Sequence, residues 1–154
     1  MQLKRVVVTG LGALTPLGNN VTNYWDALLK GVSGCGPITK FDATKFKTRF
    51  ACEVRNFDAG DYIERKEIRK MDAFSHYAIA VCDEAVKDAG MLNSGAIDPD
   101  RVGVVWGSGI GGLRTFQDEV SAFATGDGTP RFNPFFIPRM IADIACGHVS
   151  MRFG

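Results

Sequence analysis

The sequence predicts an α/β layered fold with a mostly parallel sheet, and three observations carry that prediction. Two short β-branched runs, residues 4–8 and 101–106, each break off into a glycine-rich turn. Other segments carry apolar residues three and four apart, the signature of helices with one buried face. The two kinds of element alternate, with no internal repeat and no low-complexity tract, as in sheets covered by crossover helices.

Residues 4–8 form the first strand. Asn20 is placed to cap a helix over 21–30, and Gly31 stops it. Residues 31–47 are rich in Gly, Ser, Thr and Asp and read as a long irregular connection. Residues 48–54 alternate as a strand does. Residues 58–70 are polar and hold short helical turns. Asp72 then caps the clearest helix, whose inner face is Phe74, Tyr77, Ala78, Val81, Cys82, Ala85 and Ala89, with Gly90 as its stop. Residues 101–106 form the next strand. A helix over 113–124 presents Phe116, Val120 and Phe123 on one side. Residues 125–130 form a turn-rich break, and a last helix after Pro138 carries Ile141, Ile144 and Ala145.

Composition excludes several classes. The chain has 154 residues, enough for one domain with a core, and a net charge of +1, which offers no field for nucleic acid. No apolar run reaches membrane-spanning length, and the first residues are too short a run for a secretory signal. Cys35, Cys52, Cys82 and Cys146 make no CxxC pair, so they read as reduced thiols of a cytoplasmic protein rather than metal ligands. The final residues, 144–154, stay apolar almost to the end, and the expectation is a chain cut while still inside its fold.

The most informative segment is Gly107-Ser-Gly-Ile-Gly-Gly112 after the valine run. Glycines let a ligand or another backbone come close. Ile110 is the one bulky side chain there, a candidate to face the space they open or simply to plug the loop. The spelling Gly107-x-Gly109-x-x-Gly112 also matches a dinucleotide fingerprint, a weak signal by itself. A second near-match, Gly10-x-Gly12, fails at once, because Pro16 stands where a helix would continue and no third glycine is correctly spaced.

Four segments in order resemble one family: Val6-Val-Val-Thr-Gly-Leu-Gly-Ala-Leu-Thr-Pro-Leu-Gly18, Arg65-Lys-Glu-Ile-Arg-Lys-Met-Asp72, Gly107-Ser-Gly-Ile-Gly-Gly112 and Asn133-Pro-Phe-Phe-Ile-Pro138. Together they resemble the N-terminal part of the β-ketoacyl-acyl-carrier-protein synthase II family of thiolase-like condensing enzymes. The likeness covers residues 1–154, as part of the first half of a duplicated α-β-α-β-α fold that assembles as a homodimer. It implies a decarboxylating Claisen condensation. A cysteine thiolate takes an acyl chain from acyl carrier protein, and malonyl on a second carrier loses carbon dioxide and attacks the thioester. No cofactor is implied.

By the same resemblance the nucleophile and catalytic histidines lie beyond Gly154, so no catalytic residue is assigned here. Cys146 and Cys82 read as small buried hydrophobes, His148 as a hydrogen-bonded core residue, and His76 as partly solvated. The resemblance places Ile110 at the mouth of the acyl pocket. It places Phe135 and Phe136, held between two prolines, at the dimer interface, closing the partner's pocket. It makes Arg65, Lys66, Arg69 and Lys70 the basic positions that meet acidic acyl carrier protein, with Arg131 joining them. Without the resemblance these are a loop plug, ordinary core and a solvated basic face. The other class of function weighed is a stand-alone, non-catalytic carrier-binding or scaffold module.

Overall fold

The structure, a computed structural model, describes residues 4–92, 95 and 97–154. Its chain divides into two compact units. The first runs to Phe57 and takes in the end of a long helix from Asp83. The second comprises Asp58–Cys82 and the chain after residue 94.

In the first unit, α1 (Val21–Leu29) begins where expected. The Asn20 side chain accepts from the Asn23 N–H at 2.7 Å, and Gly31 ends the helix at φ 63°. The connection after it holds a short strand, β1 (Cys35–Pro37), which pairs antiparallel with β2 (Phe50–Cys52). The turn between them carries an edge-on contact of Phe41 with Phe46, and Glu53 fastens its flank by accepting from the Thr39 N–H and hydroxyl.

The last turns of α3 (Ala73–Asp88) anchor the N-terminal glycine segment within this unit. Asp88 accepts from the Leu11 N–H at 2.9 Å. Glu84 accepts from Ala13 N–H at 2.9 Å and Val21 N–H at 2.8 Å. Gly10 lies so close to this helix that a Cβ would fall 2.6 Å from the Ala89 nitrogen. Its glycine therefore serves backbone approach. The N–H groups that a phosphate would need already point at carboxylates.

The second unit holds a single turn over Ala59–Asp61, the short α2 (Arg65–Ile68), the first turns of α3, then α4 (Leu113–Thr125), α5 (Phe136–Met140) and α6 (Ile144–Phe153). Its core has two clusters. Ile63, Met71 and Ile79 form one, with Tyr62 and Ile68 against it. Ala78, Ala145 and Val149 form the other, flanked by Phe74, Cys82, Val104, Trp106 and Phe153. Small residues dominate the second cluster, where Ala78 of α3 packs with Ala145 and Val149 of α6.

Several expected elements differ. Residues 4–8 and 101–106 make no strand ladder among the described residues. A strand is defined by its neighbour, and Val6 at 90% and Val105 at 100% exposure have none beside them. The second run still alternates, with Val104 and Trp106 turned to the helix cluster and Val105 outward. The strand over 48–54 is real but shorter. Pro138 lies inside the first turn of α5, where a missing N–H costs nothing; the last helix, α6, follows it with Ile144 and Ala145 as expected, while Ile141 ends α5 instead.

Candidate functional site

The glycine loop splits into two functional halves. Gly111 adopts φ 83°, and a Cβ there would come within 3.0 Å of the Ala142 backbone. Gly112 is buried and donates its N–H to the Met140 carbonyl at 2.9 Å. A Cβ on it would crowd the Arg139 carbonyl and lie 3.0 Å from Asp72 Oδ2. These two glycines close a backbone seam against residues 139–142. Gly107 and Gly109 face open space, with nothing within 4 Å of an added Cβ. Ile110, 69% exposed, stands between the open half and the seam.

Directly after the seam, α4 starts without a side-chain cap of its own. The Thr115 N–H and hydroxyl donate instead to Asp72 Oδ2, at the head of α3. Thr115 is buried. The Asp72 carbonyl opens α3 by accepting from Ser75 and His76 N–H, while its carboxylate serves α4. That carboxylate occupies the helix N-terminus where a dinucleotide's pyrophosphate would bind, which argues against nucleotide binding at this loop.

The Phe135–Phe136 pair is separated by local chemistry. Asn133 Oδ1 accepts from the Phe135 N–H and the Asn133 carbonyl from the Phe136 N–H, both at 2.8 Å. Glu119 accepts the Asn133 N–H at 3.1 Å. This side-chain turn sends the two rings different ways. Phe136 joins a ladder, stacked on Phe132 at 5.9 Å and on Phe116 at 6.3 Å between centroids. Phe135 is exposed, with the Lys70 ammonium 5.7 Å above its ring.

The basic positions are less uniform than their spacing implies. Helix α2 has only four residues, so Arg69 and Lys70 lie past its end. Lys66 pairs with Glu64 at 3.2 Å, and Lys70 with Glu67 at 2.7 Å, which holds the Glu67 carboxyl below its ordinary range. Arg131 pairs with Asp127 at 3.2 Å on the turn before α5. Arg65 and Arg69 are exposed, and among the described residues no carboxylate lies within ion-pair distance of either.

Two histidines sit in the same unit. His76 Nε2 donates to the Ile68 carbonyl at 3.1 Å. Burial pushes both His76 and His148 below the ordinary histidine range, and for His148 the nearby His76 adds to the effect. Both are therefore neutral at pH 7. The Cys146 thiol donates to the Val104 carbonyl at 3.4 Å, and Cys82 is half-buried in the α3–α6 cluster. The described residues contain no group of three or more potential metal ligands.

What spacing did not show are the long-range carboxylates: Asp72 on Thr115 and Glu84 on Ala13 and Val21. Asp72 immediately precedes α3 and Glu84 lies on it, and an acidic residue followed by an alanine in each case was the available signal.

Over 99% of its length the chain superposes, with a TM-score of 0.75 and 29% identity, on 39% of a chain in the AntDE:AntF complex, described as a type II PKS acyl-carrier protein in complex with its ketosynthase bound to the hexaketide. It is 43% identical over its full length to 3-oxoacyl-[acyl-carrier-protein] synthase 2 of Synechocystis sp., and 47% identical over 99% of its length to the Staphylococcus aureus (strain COL) protein of that name. The chain spans 36% of the length of each of these two relatives. The family model for the β-ketoacyl synthase N-terminal domain matches residues 3–154, and the chain belongs to that family. The thiolase-like fold class expected from the sequence rests on this likeness.

Proposed function

We propose that residues 1–154 supply the acyl-pocket wall, dimer contact and carrier-docking surface of a fatty-acid-elongating condensing enzyme. The whole enzyme binds an acyl chain as a cysteine thioester, decarboxylates malonyl-acyl carrier protein and joins the two. The cysteine and the histidines that stabilise the developing enolate come from outside this segment. The reading is carried by the seam of Gly111 and Gly112 on residues 139–142, which ties the loop bearing Ile110 to the helix that follows Phe135. In this reading Ile110 gates the pocket mouth, and Phe135 and Phe136 reach the partner subunit of a cytoplasmic homodimer. Arg65, Lys66, Arg69, Lys70 and Arg131 receive acyl carrier protein. The names of the relatives and the carrier-bound ketosynthase support it.

The test is a paired assay. A protein containing this segment and the remainder of the synthase should form 3-oxoacyl-acyl carrier protein and release carbon dioxide from malonyl-acyl carrier protein. The 154 residues alone should bind acyl carrier protein by calorimetry and condense nothing. Condensation by the 154 residues, or failure of the longer protein to condense, overturns the reading. Binding without any condensation by the longer protein identifies a scaffold module instead.

A further inference from the structure

Cys35 and Cys52 are direct partners across the β1–β2 ribbon, in the register Cys35↔Cys52, Gly36↔Ala51, Pro37↔Phe50. Both are exposed and both are free thiols. The hydrogen-bonding phase of the ladder follows from the next pair out. Ile38 N–H donates to the Arg49 carbonyl at 3.1 Å, so Ile38 and Arg49 form a hydrogen-bonded pair. Pairs alternate along an antiparallel ladder, which leaves Pro37, with no N–H, in a non-hydrogen-bonded pair, and places Cys35 and Cys52 in another. Opposed residues of that type have Cα atoms about 4.5 Å apart and side chains on one face, within the range a disulfide spans. The inner face of the ribbon is occupied differently: the Arg55 guanidinium lies against Gly36. The thiols therefore share the outer, solvent face.

We propose that Cys35 and Cys52 are a reversible oxidation site, closed by exchange with a low-molecular-weight disulfide. One thiolate attacks the small disulfide, forms a mixed disulfide and releases one small thiol. The opposed thiolate then attacks the protein sulfur and releases the second. Two protein thiols lose two electrons and two protons, and one small disulfide is reduced to two thiols. The bond fastens the ends of the turn 36–51. Cys146, bonded to the Val104 carbonyl, and half-buried Cys82 lie outside this ribbon and stay reduced.

The experiment exposes the folded chain to oxidised glutathione, blocks remaining thiols in denaturant and maps the tryptic peptides. Blockable thiols should fall from four to two, with peptides 31–40 and 50–55 joined and separated again by dithiothreitol. The Cys52→Ser variant should stop at one glutathione on Cys35. Four blockable thiols, glutathione on both residues with no link, or a link through Cys82 or Cys146 each overturns the proposal.

Discussion

The Asp72 carboxylate accepts both the backbone N–H and the hydroxyl of Thr115, joining the head of α3 to the head of α4 across 43 positions of sequence. Thr115 is buried, so its hydroxyl has no water to turn to. Thr115→Val keeps the shape and removes the donor to a charged acceptor, a loss of about 1.5–3 kcal/mol. Urea unfolding should show the midpoint falling with the slope unchanged. A midpoint equal to wild type would mean the contact does not hold α4.

The glycine loop makes an internal comparison. Gly112→Ala forces a Cβ against the Arg139 carbonyl, a backbone atom that yields only if the seam opens. Overpacking of this kind costs about 1–3 kcal/mol or more. Gly109→Ala meets nothing and should leave the thermal midpoint within the spread of surface substitutions. Equal effects of the two variants would remove the seam from the account.

The helices were legible because their signals are local. Asn20, Gly31 and Gly90 each act on the turn beside them, and each does what its chemistry predicts. The runs at 4–8 and 101–106 were legible only as strand-like composition. Pairing is non-local, and among the described residues neither run has a ladder neighbour. The site divides the same way. Four glycines in six residues marked the loop, but nothing near Gly111 or Gly112 announced that residues 139–142 would press on them. Asp72 looked like the cap of its own helix, since spacing cannot show that a carboxylate is engaged by a threonine 43 positions on. Phe135 and Phe136 read as one unit, and the Asn133 turn separates them. Arg65, Lys66, Arg69 and Lys70 read as one basic face. Glu64 and Glu67, in the same stretch, each pair with a lysine, leaving the two arginines as its unneutralised charge.

Acid should weaken the second unit in two stages. His76 and His148 have native values held below 6.5 by burial. The unfolded chain then binds protons first, so stability is complete above pH 6.5 and declines as pH falls toward the lowered native values. The carboxylate of Glu67 is also depressed, and its contribution is present above its ordinary 4.5 and lost at more acidic pH. Denaturation midpoints measured from pH 7.5 to 3.5 should fall in both windows. His148→Gln should flatten the upper window and spare the lower one. An unchanged upper slope would show that burial does not lower the His148 value in the folded protein.

Carrier docking follows from the proposed function and singles out Arg65 and Arg69. Lys66 and Lys70 are already screened by Glu64 and Glu67, so reversing them also breaks local pairs. Arg65→Glu with Arg69→Glu, made in the whole synthase, should raise KM for acyl-acyl carrier protein several-fold while sparing a carrier-free acyl thioester. Added salt should weaken wild type more than the variant, because screening removes an attraction the variant lacks. Equal losses on both substrates would point to damaged folding.

Ile110 offers the most direct test of the pocket. Its side chain is exposed beside Gly107 and Gly109, which leave open space, and next to the Gly111–Gly112 seam, which does not move cheaply. Added bulk at Ile110 must therefore project into the open half of the loop. In the whole synthase, Ile110→Phe should shorten the longest accepted acyl chain, since a filled pocket mouth excludes length before it excludes chemistry. Short-chain turnover should stay near wild type, with the loss concentrated in long-chain kcat/KM at about tenfold for each 1.4 kcal/mol of crowding. Ile110→Ala should extend the range or leave it unchanged. A uniform fall across all chain lengths would make Ile110 a plug that supports the loop, and an unaltered profile would place the pocket mouth elsewhere.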